Sequence, residues 1–205
     1  MGAPQESVSR PDRTVRYMTA SAREQLLQAV VEHFAEHGVG DRSLRSVAAA
    51  IGTSHRMLIY HFGSREGLLA EVVTTVEAGQ RDALATFTAQ PGTEPREVVL
   101  RFWTTVSTVA RRYGPLFYEL TAHAMQEQTH AAPLRESLVE PWLEPLTDLL
   151  RRAGVDREDA AVRARLGLAA TRGLLHDALL TGDFAQADAA MAAFADMALA
   201  PRVAP

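Results

Sequence analysis

The chain has 205 residues, 47% of them apolar and 22% charged, with a formal net charge of −4. That length buries an ample core, and the composition is that of a soluble globular protein. The absence of cysteine excludes disulfides, zinc–thiolate centres and thiol catalysis. With no apolar run of roughly eighteen residues and no secretory signal, a cytoplasmic protein without a membrane partner is expected.

Aromatic residues are sparse at 6% and alanine is abundant, which favours helix over sheet. The charge is unevenly spread. Residues 1–65 carry eight arginines against six acids, and four of the seven histidines; residues 66–205 carry thirteen arginines against nineteen acids. A basic head on an acidic body fits an anionic partner at one end only.

Residues 1–20 contain Pro4 and Pro11 and no apolar period, so a loose arm is expected, with Arg10, Arg13 and Arg16 able to reach phosphates or a minor groove. Ser21 and Glu24 form a capping box for a first helix carrying Leu26, Leu27, Val30, Val31 and Phe34 and ending at Gly38. A second helix starts at Leu44 behind Ser43. Gly52 turns the chain, Thr53 or Ser54 caps a third helix over about 55–61, and Leu58 and Phe62 give it a buried stripe. Ser64 caps a fourth helix with Leu68, Leu69, Val72, Val73 and Val76 along one side, before a loop at Pro91-Gly92.

A fifth helix is expected over about 95–112, a break at Gly114-Pro115, and a sixth over about 116–128. The seventh covers about 134–153, with a kink or split at Pro141 and Pro145. The eighth runs from Asp156 or Arg157 to about Leu180. Asp183 caps a ninth over about 184–199. No β pattern and no internal repeat stand out.

The spacing of Ala48, Gly52 and Leu58 is that of a helix-turn-helix: a small residue lets two helices cross closely, a glycine turns the chain, and a leucine fills the angle between them. The Phe34-to-Gly38 helix end, Ser43-Leu44-Arg45, Val47-Ala48, Gly52, Ser54, Tyr60-His61-Phe62, Ser64-Arg65-Glu66 and Leu68-Leu69 fall in one register. From Ser21 to Leu69 the sequence resembles the N-terminal domain of the tetracycline-repressor (TetR) family of bacterial regulators; the rest matches only in helical character and length.

The resemblance implies a third helix lying in the major groove of double-stranded DNA. His55, Arg56 and Met57 would then stand near base edges, and Tyr60 and His61 near phosphates. Arg65 would meet a phosphate at the start of the fourth helix. Ser43, with Arg45 beside it, would do so at the start of the second, and Thr53 and Ser54 would offer hydroxyls at the start of the third. Two positions depart from the family's habit. Ile59 stands where many members have Tyr, and Met57 where many have Thr or a small residue; either could touch a thymine methyl.

A competing motif, His33-Phe-Ala-Glu36-His37, matches the H-x-x-E-H pattern of zinc hydrolases. The pair sits in the last turn before Gly38, where imidazoles meet free carbonyls, and no third ligand stands on a matching helix. No nucleophile elbow, P-loop or dinucleotide fingerprint occurs, so no catalytic residues, metal or cofactor are expected.

In TetR-like chains the body encloses an effector pocket, for which Trp103, Phe117, Tyr118, His123, Trp142, Arg172 and His176 combine bulk with polar tips. The eighth helix offers Leu166, Gly167, Ala170, Gly173, Leu174 and Leu175, and the ninth Ala187, Ala190, Met191, Phe194 and Met197, as a homodimer face. The expectation is an all-α protein: an arm at 1–20, a three-helix helix-turn-helix domain at 21–66, and a helical effector and dimerisation bundle at 67–205. It would be a transcriptional regulator, most simply a repressor released from a palindromic operator by a small molecule. The alternatives are the zinc hydrolase and a DNA-binding regulator without an effector.

Overall fold

The computed structural model describes residues 21–40 and 42–200, so the arm expected at 1–20 lies outside the described residues. Those residues form helices α1 (Ala22–His37), α2 (Leu44–Ala50), α3 (His55–Phe62), α4 (Arg65–Ala89), α5 (Pro95–Met125), α6 (Ala132–Ser137), α7 (Glu140–Arg152), α8 (Arg157–Thr181) and α9 (Phe184–Leu199). A short 3-10 turn, Thr129–Ala131, precedes α6, and no strand occurs among the described residues.

Local chemistry explains most boundaries. Ser21 and Glu24 make the reciprocal capping box of α1. Ser43, Ser54 and Ser64 each accept an amide hydrogen from the residue three positions on, starting α2, α3 and α4. Asp156 and Asp183 do the same for α8 and α9. Each cap satisfies a donor that has no partner within its helix.

The break expected at Gly114-Pro115 does not occur: α5 runs unbroken through Pro115. A proline inside a helix frees the carbonyl one turn earlier, here on Arg111, and both residues face solvent, where water can meet that oxygen. Gly114 faces inward, where a Cβ would come 2.4 Å from Leu179 Cδ1 of α8 and that side-chain tip would have to shift. The single seventh helix is divided into α6 and α7, with Pro133 and Pro141 each in a first turn, where the missing N–H costs nothing.

One buried core joins the first three helices to the body. Val30, Phe34, Val47, Leu58 and Phe62 pack with Leu68, Val72 and Val73 of α4 and with Tyr113, Leu116, Leu120 and Leu134 beyond it. A second core links α5, α8 and α9 through Trp103, Val106, Ala178, Phe184 and Met191. A third gathers Leu84, Val98, Trp142, Leu149 and Leu168 from α4, α5, α7 and α8.

Candidate nucleic-acid interface and effector cavity

Helix α3 hangs from the core by Leu58 and Phe62, both buried. Ala48 is buried where α2 crosses it, Gly52 adopts φ +73°, and the Thr53 amide donates to Ala48 O at 2.9 Å, closing the turn. The rest of α3 faces outward: His55, Arg56, Met57, Ile59 and Tyr60 are exposed, Tyr60 to 78%. Arg45 and Arg56 are exposed and form no ion pair among the described residues. Ser43 is exposed beside Arg45, while Thr53 is half-buried.

Two predicted contacts are placed differently. The His61 ring meets Tyr60 edge-on at 5.0 Å, and its Nε2 is sealed without a partner, so that nitrogen is not presented outward. Arg65 donates from Nε to Arg42 O at 3.2 Å and from Nη2 to Gly40 O at 3.4 Å. It fastens the α1–α2 loop as well as standing at the start of α4.

The head is tied to the body at several points. Arg23 pairs with Glu71 of α4 at 2.6 Å and lies over the Phe62 ring at 5.2 Å. Gly67, in the first turn of α4, lies so close to the end of α3 that a Cβ would come 2.4 Å from Phe62 O. The Tyr113 hydroxyl donates to Val31 O of α1 at 2.8 Å.

A cavity of about 120 Å³ lies in the body between α4, α5, α7, α8 and α9, roughly tenfold the space one water needs. Five of the seven predicted pocket residues line it: Trp103, Phe117, Tyr118, Trp142 and Arg172. The other two do not. His176 is exposed and meets the Tyr118 ring edge-on from outside, at 4.9 Å. His123 lies near the end of α5, where its Nδ1 is 3.1 Å from His130 Nε2 in the 3-10 turn.

Glu77 of α4 escaped the sequence reading. It is only 6% exposed and lines the cavity. Its Oε2 accepts from Trp142 Nε1 at 2.9 Å and from Arg172 Nη2 at 3.2 Å, and Arg172 also donates to Leu138 O. Burial pushes the Glu77 carboxyl above its ordinary range, against the pull of Arg172 and the Trp142 N–H. Burial likewise lowers Arg172, with Glu77 opposing. Tyr118 donates to Arg172 O at 2.6 Å, and burial raises its hydroxyl to about 12, so it remains a donor at neutral pH. A signal was available: Leu69, Val73, Glu77 and Leu84 share one face of α4, so the acid interrupts an apolar stripe.

The expected dimer face is partly reassigned. Ala187 and Met191 are buried in the chain's own core, and Leu174, Leu175 and Phe194 pack against it. Of the expected face, Leu166 and Met197 are exposed and Gly173 is open, and Val162 and Leu180 of α8 are exposed as well. The His33–His37 rings stack at 4.6 Å, with His37 Nδ1 3.1 Å from His33 O. No cluster of three or more metal-capable side chains occurs among the described residues, and none of their helices is long and apolar enough to cross a membrane.

The family model for bacterial regulatory proteins of the tetR family matches residues 26–72, the stretch containing the α2–α3 wedge. Over that head the chain is similar to the TetR family. Its head is similar to that of the transcriptional regulator BetI of Stenotrophomonas maltophilia, at 29% identity over 75 residues, or 37% of this chain. The match spans only 38% of BetI's length. The TetR-like fold extends through the body. A TetR transcriptional regulator from Legionella pneumophila superposes with a TM-score of 0.62 at 20% identity, covering 87% of this chain and 97% of that one. Thermus thermophilus FadR, a TetR-family transcriptional repressor solved with lauroyl-CoA, gives a TM-score of 0.58 at 20% identity, covering 89% and 97%.

Proposed function

We propose that the chain is a DNA-binding transcriptional regulator, a repressor released from its operator by a small molecule. Residues 21–66 are the reading head and 67–205 the effector and dimerisation body. The observation that carries this reading is the free face of α3, where Arg56, without an ion pair among the described residues, stands with exposed Met57, Ile59 and Tyr60 on a helix anchored from behind, while Arg45 of α2 is exposed and likewise unpaired among those residues. Arg56 and His55 are placed to read base edges, and Ser43, Arg45, Tyr60 and the Arg65 side chain to hold phosphates.

A homodimer through α8 and α9 places two such helices about 34–36 Å apart, one turn of B-DNA, on a palindromic site. Val162, Leu166 and Leu180 recur along the outer side of α8, as a two-fold helical interface requires. An effector in the cavity binds best to a conformer whose heads are wrongly spaced, and so drains the DNA-competent population. FadR's lauroyl-CoA supports an effector reading for this fold, and the cavity wall supports it here, since α4 and α5 bound the cavity and also pack on the head.

The test is selection of bound fragments from random DNA by the full chain, followed by titration of the recovered site. A two-fold symmetric consensus with half-sites about one turn apart supports the reading. Recovery of no enriched sequence, with affinity the same for every duplex, refutes it.

A further inference from the structure

The chemistry of the cavity wall narrows what can occupy it, an inference that rests on the effector reading above. Its surface is mostly apolar and aromatic, with Phe102, Trp103, Val106, Phe117, Leu168 and Phe194 prominent. Two cations reach it, and both are committed. Arg172 is paired with Glu77 and donates to Leu138 O. Arg163 donates to the carbonyls of Ala198 and Ala200 and pairs with Asp159 at 3.1 Å. The one buried acid among the described residues, Glu77, is matched as well, by Arg172 and by Arg81, whose guanidinium lies over the Trp142 ring at 5.7 Å. A ligand carboxylate or ammonium would therefore shed its hydration and find no free counter-charge.

What the wall leaves open is hydrogen-bonding capacity. Both hydrogen bonds to Glu77 end on Oε2, and Oε1 accepts none from the described residues. That oxygen is not among the buried polar atoms sealed without a partner, and the residue lines the cavity, so its remaining exposure is toward the cavity. Gln80, one turn further along α4, also lines the cavity, and its amide makes no hydrogen bond to the described residues. An acceptor and an amide donor, three residues apart on one helix and both on the cavity wall, together suit one group above others, a hydroxyl, which can give one hydrogen bond and take another.

We infer that the cavity selects an uncharged, largely apolar molecule bearing a hydroxyl, which donates to Glu77 Oε1 and accepts from the Gln80 amide.

Calorimetric titration of the full chain with four matched probes tests this: 4-butylphenol, 4-butylanisole, 4-butylbenzoate and 4-butylbenzylammonium. The phenol is expected to bind at least about tenfold more tightly than the anisole, as one hydrogen bond to a charged acceptor implies, and more tightly than either ion. Gln80→Leu should reduce the phenol's advantage. Glu77→Gln keeps a carbonyl for Arg172 and Trp142 but turns an N–H toward the ligand, so the advantage should vanish. If that variant does not fold, the wild-type ranking and Gln80→Leu still decide. Equal binding of phenol and anisole, preference for either ion, or binding of none of the four overturns the inference. DNA affinity measured alongside separates the two readings. Phenol preference without DNA release sustains the inference and refutes the effector role; release by an ion does the reverse.

Discussion

Tyr113 shows its ring to the cavity and gives its hydroxyl to Val31 O of α1, 2.8 Å away. One side chain thus touches both the cavity and α1. Tyr113→Phe keeps the wall and removes the bond, at a stability cost of about 1 kcal/mol. Ligand affinity of the free protein should change little, while the ligand-induced loss of DNA affinity should shrink. Paired anisotropy titrations, with and without ligand, measure that ratio; an unchanged ratio rules out this route.

Gly67 carries no backbone strain of its own, yet a Cβ there would meet the Phe62 carbonyl at 2.4 Å. Backbone cannot yield as a side-chain tip can. Gly67→Ala should therefore push α4 away from the end of α3 and destabilise the fold by about 1–3 kcal/mol, despite alanine's better helix propensity. Urea denaturation checks the sign, and a more stable variant would contradict it.

Arg56 and Tyr60 share the exposed face of α3 but should fail differently. Arg56→Ala should relax base preference by about 1–3 kcal/mol at one position of each half-site. Tyr60→Phe should weaken all duplexes alike, by a few-fold, as loss of one phosphate hydrogen bond implies. Repeating the random-DNA selection with each variant distinguishes them; an unaltered consensus for Arg56→Ala denies it a base-reading role.

Leu166 is 55% exposed and Leu180 74%, and both stand on the outer side of α8. A glutamate at Leu166 costs nothing in a monomer but buries an unpaired charge in a dimer. Leu166→Glu should sediment as a monomer with an unchanged helical spectrum and lose tight binding to a palindromic duplex. A dimer of undiminished stability would place the interface elsewhere.

Glu77 sets a pH dependence whose sign follows from its burial. Because desolvation raises its pKa above the ordinary 4.5, the folded chain takes up this proton at higher pH than the unfolded chain does. The stability contributed by Glu77 therefore rises as pH falls through the raised value toward 4.5, and is absent above it. The difference in melting temperature between wild type and Glu77→Gln, which lacks the titration, should shift in favour of the wild type between pH 7 and 4.5. A difference flat across that interval contradicts the assignment.

The features legible in the sequence are the local ones. Ser21, Ser43, Ser54, Ser64, Asp156 and Asp183 cap helices because a cap needs only its own chain a few residues on. Leu58 and Phe62 are buried where their spacing puts them. What was not legible depended on neighbours distant in sequence. Pro115 is tolerated because its side of α5 faces solvent. His176 falls outside the cavity, exposed on α8 against the edge of the Tyr118 ring, whose hydroxyl donates to the Arg172 carbonyl one turn earlier. His123 is taken up by His130, which the turn after α5 brings back over it. Glu77 was overlooked because the stripe was read for apolar residues, and a paired acid can occupy such a position only when an arginine from another helix arrives to meet it.

The unbroken course of α5 has a mechanical consequence. Its 31 residues make a rod about 46 Å long, with cavity-wall side chains along its middle and its C-terminal turns seated in the same core as the head. A strut of that length amplifies: a few degrees of tilt at the wall becomes ångströms of travel at the tip. Pro115, lacking one rung of the helical ladder just beyond Tyr113, would give that rod a compliant point if an effector of the proposed kind tilted it.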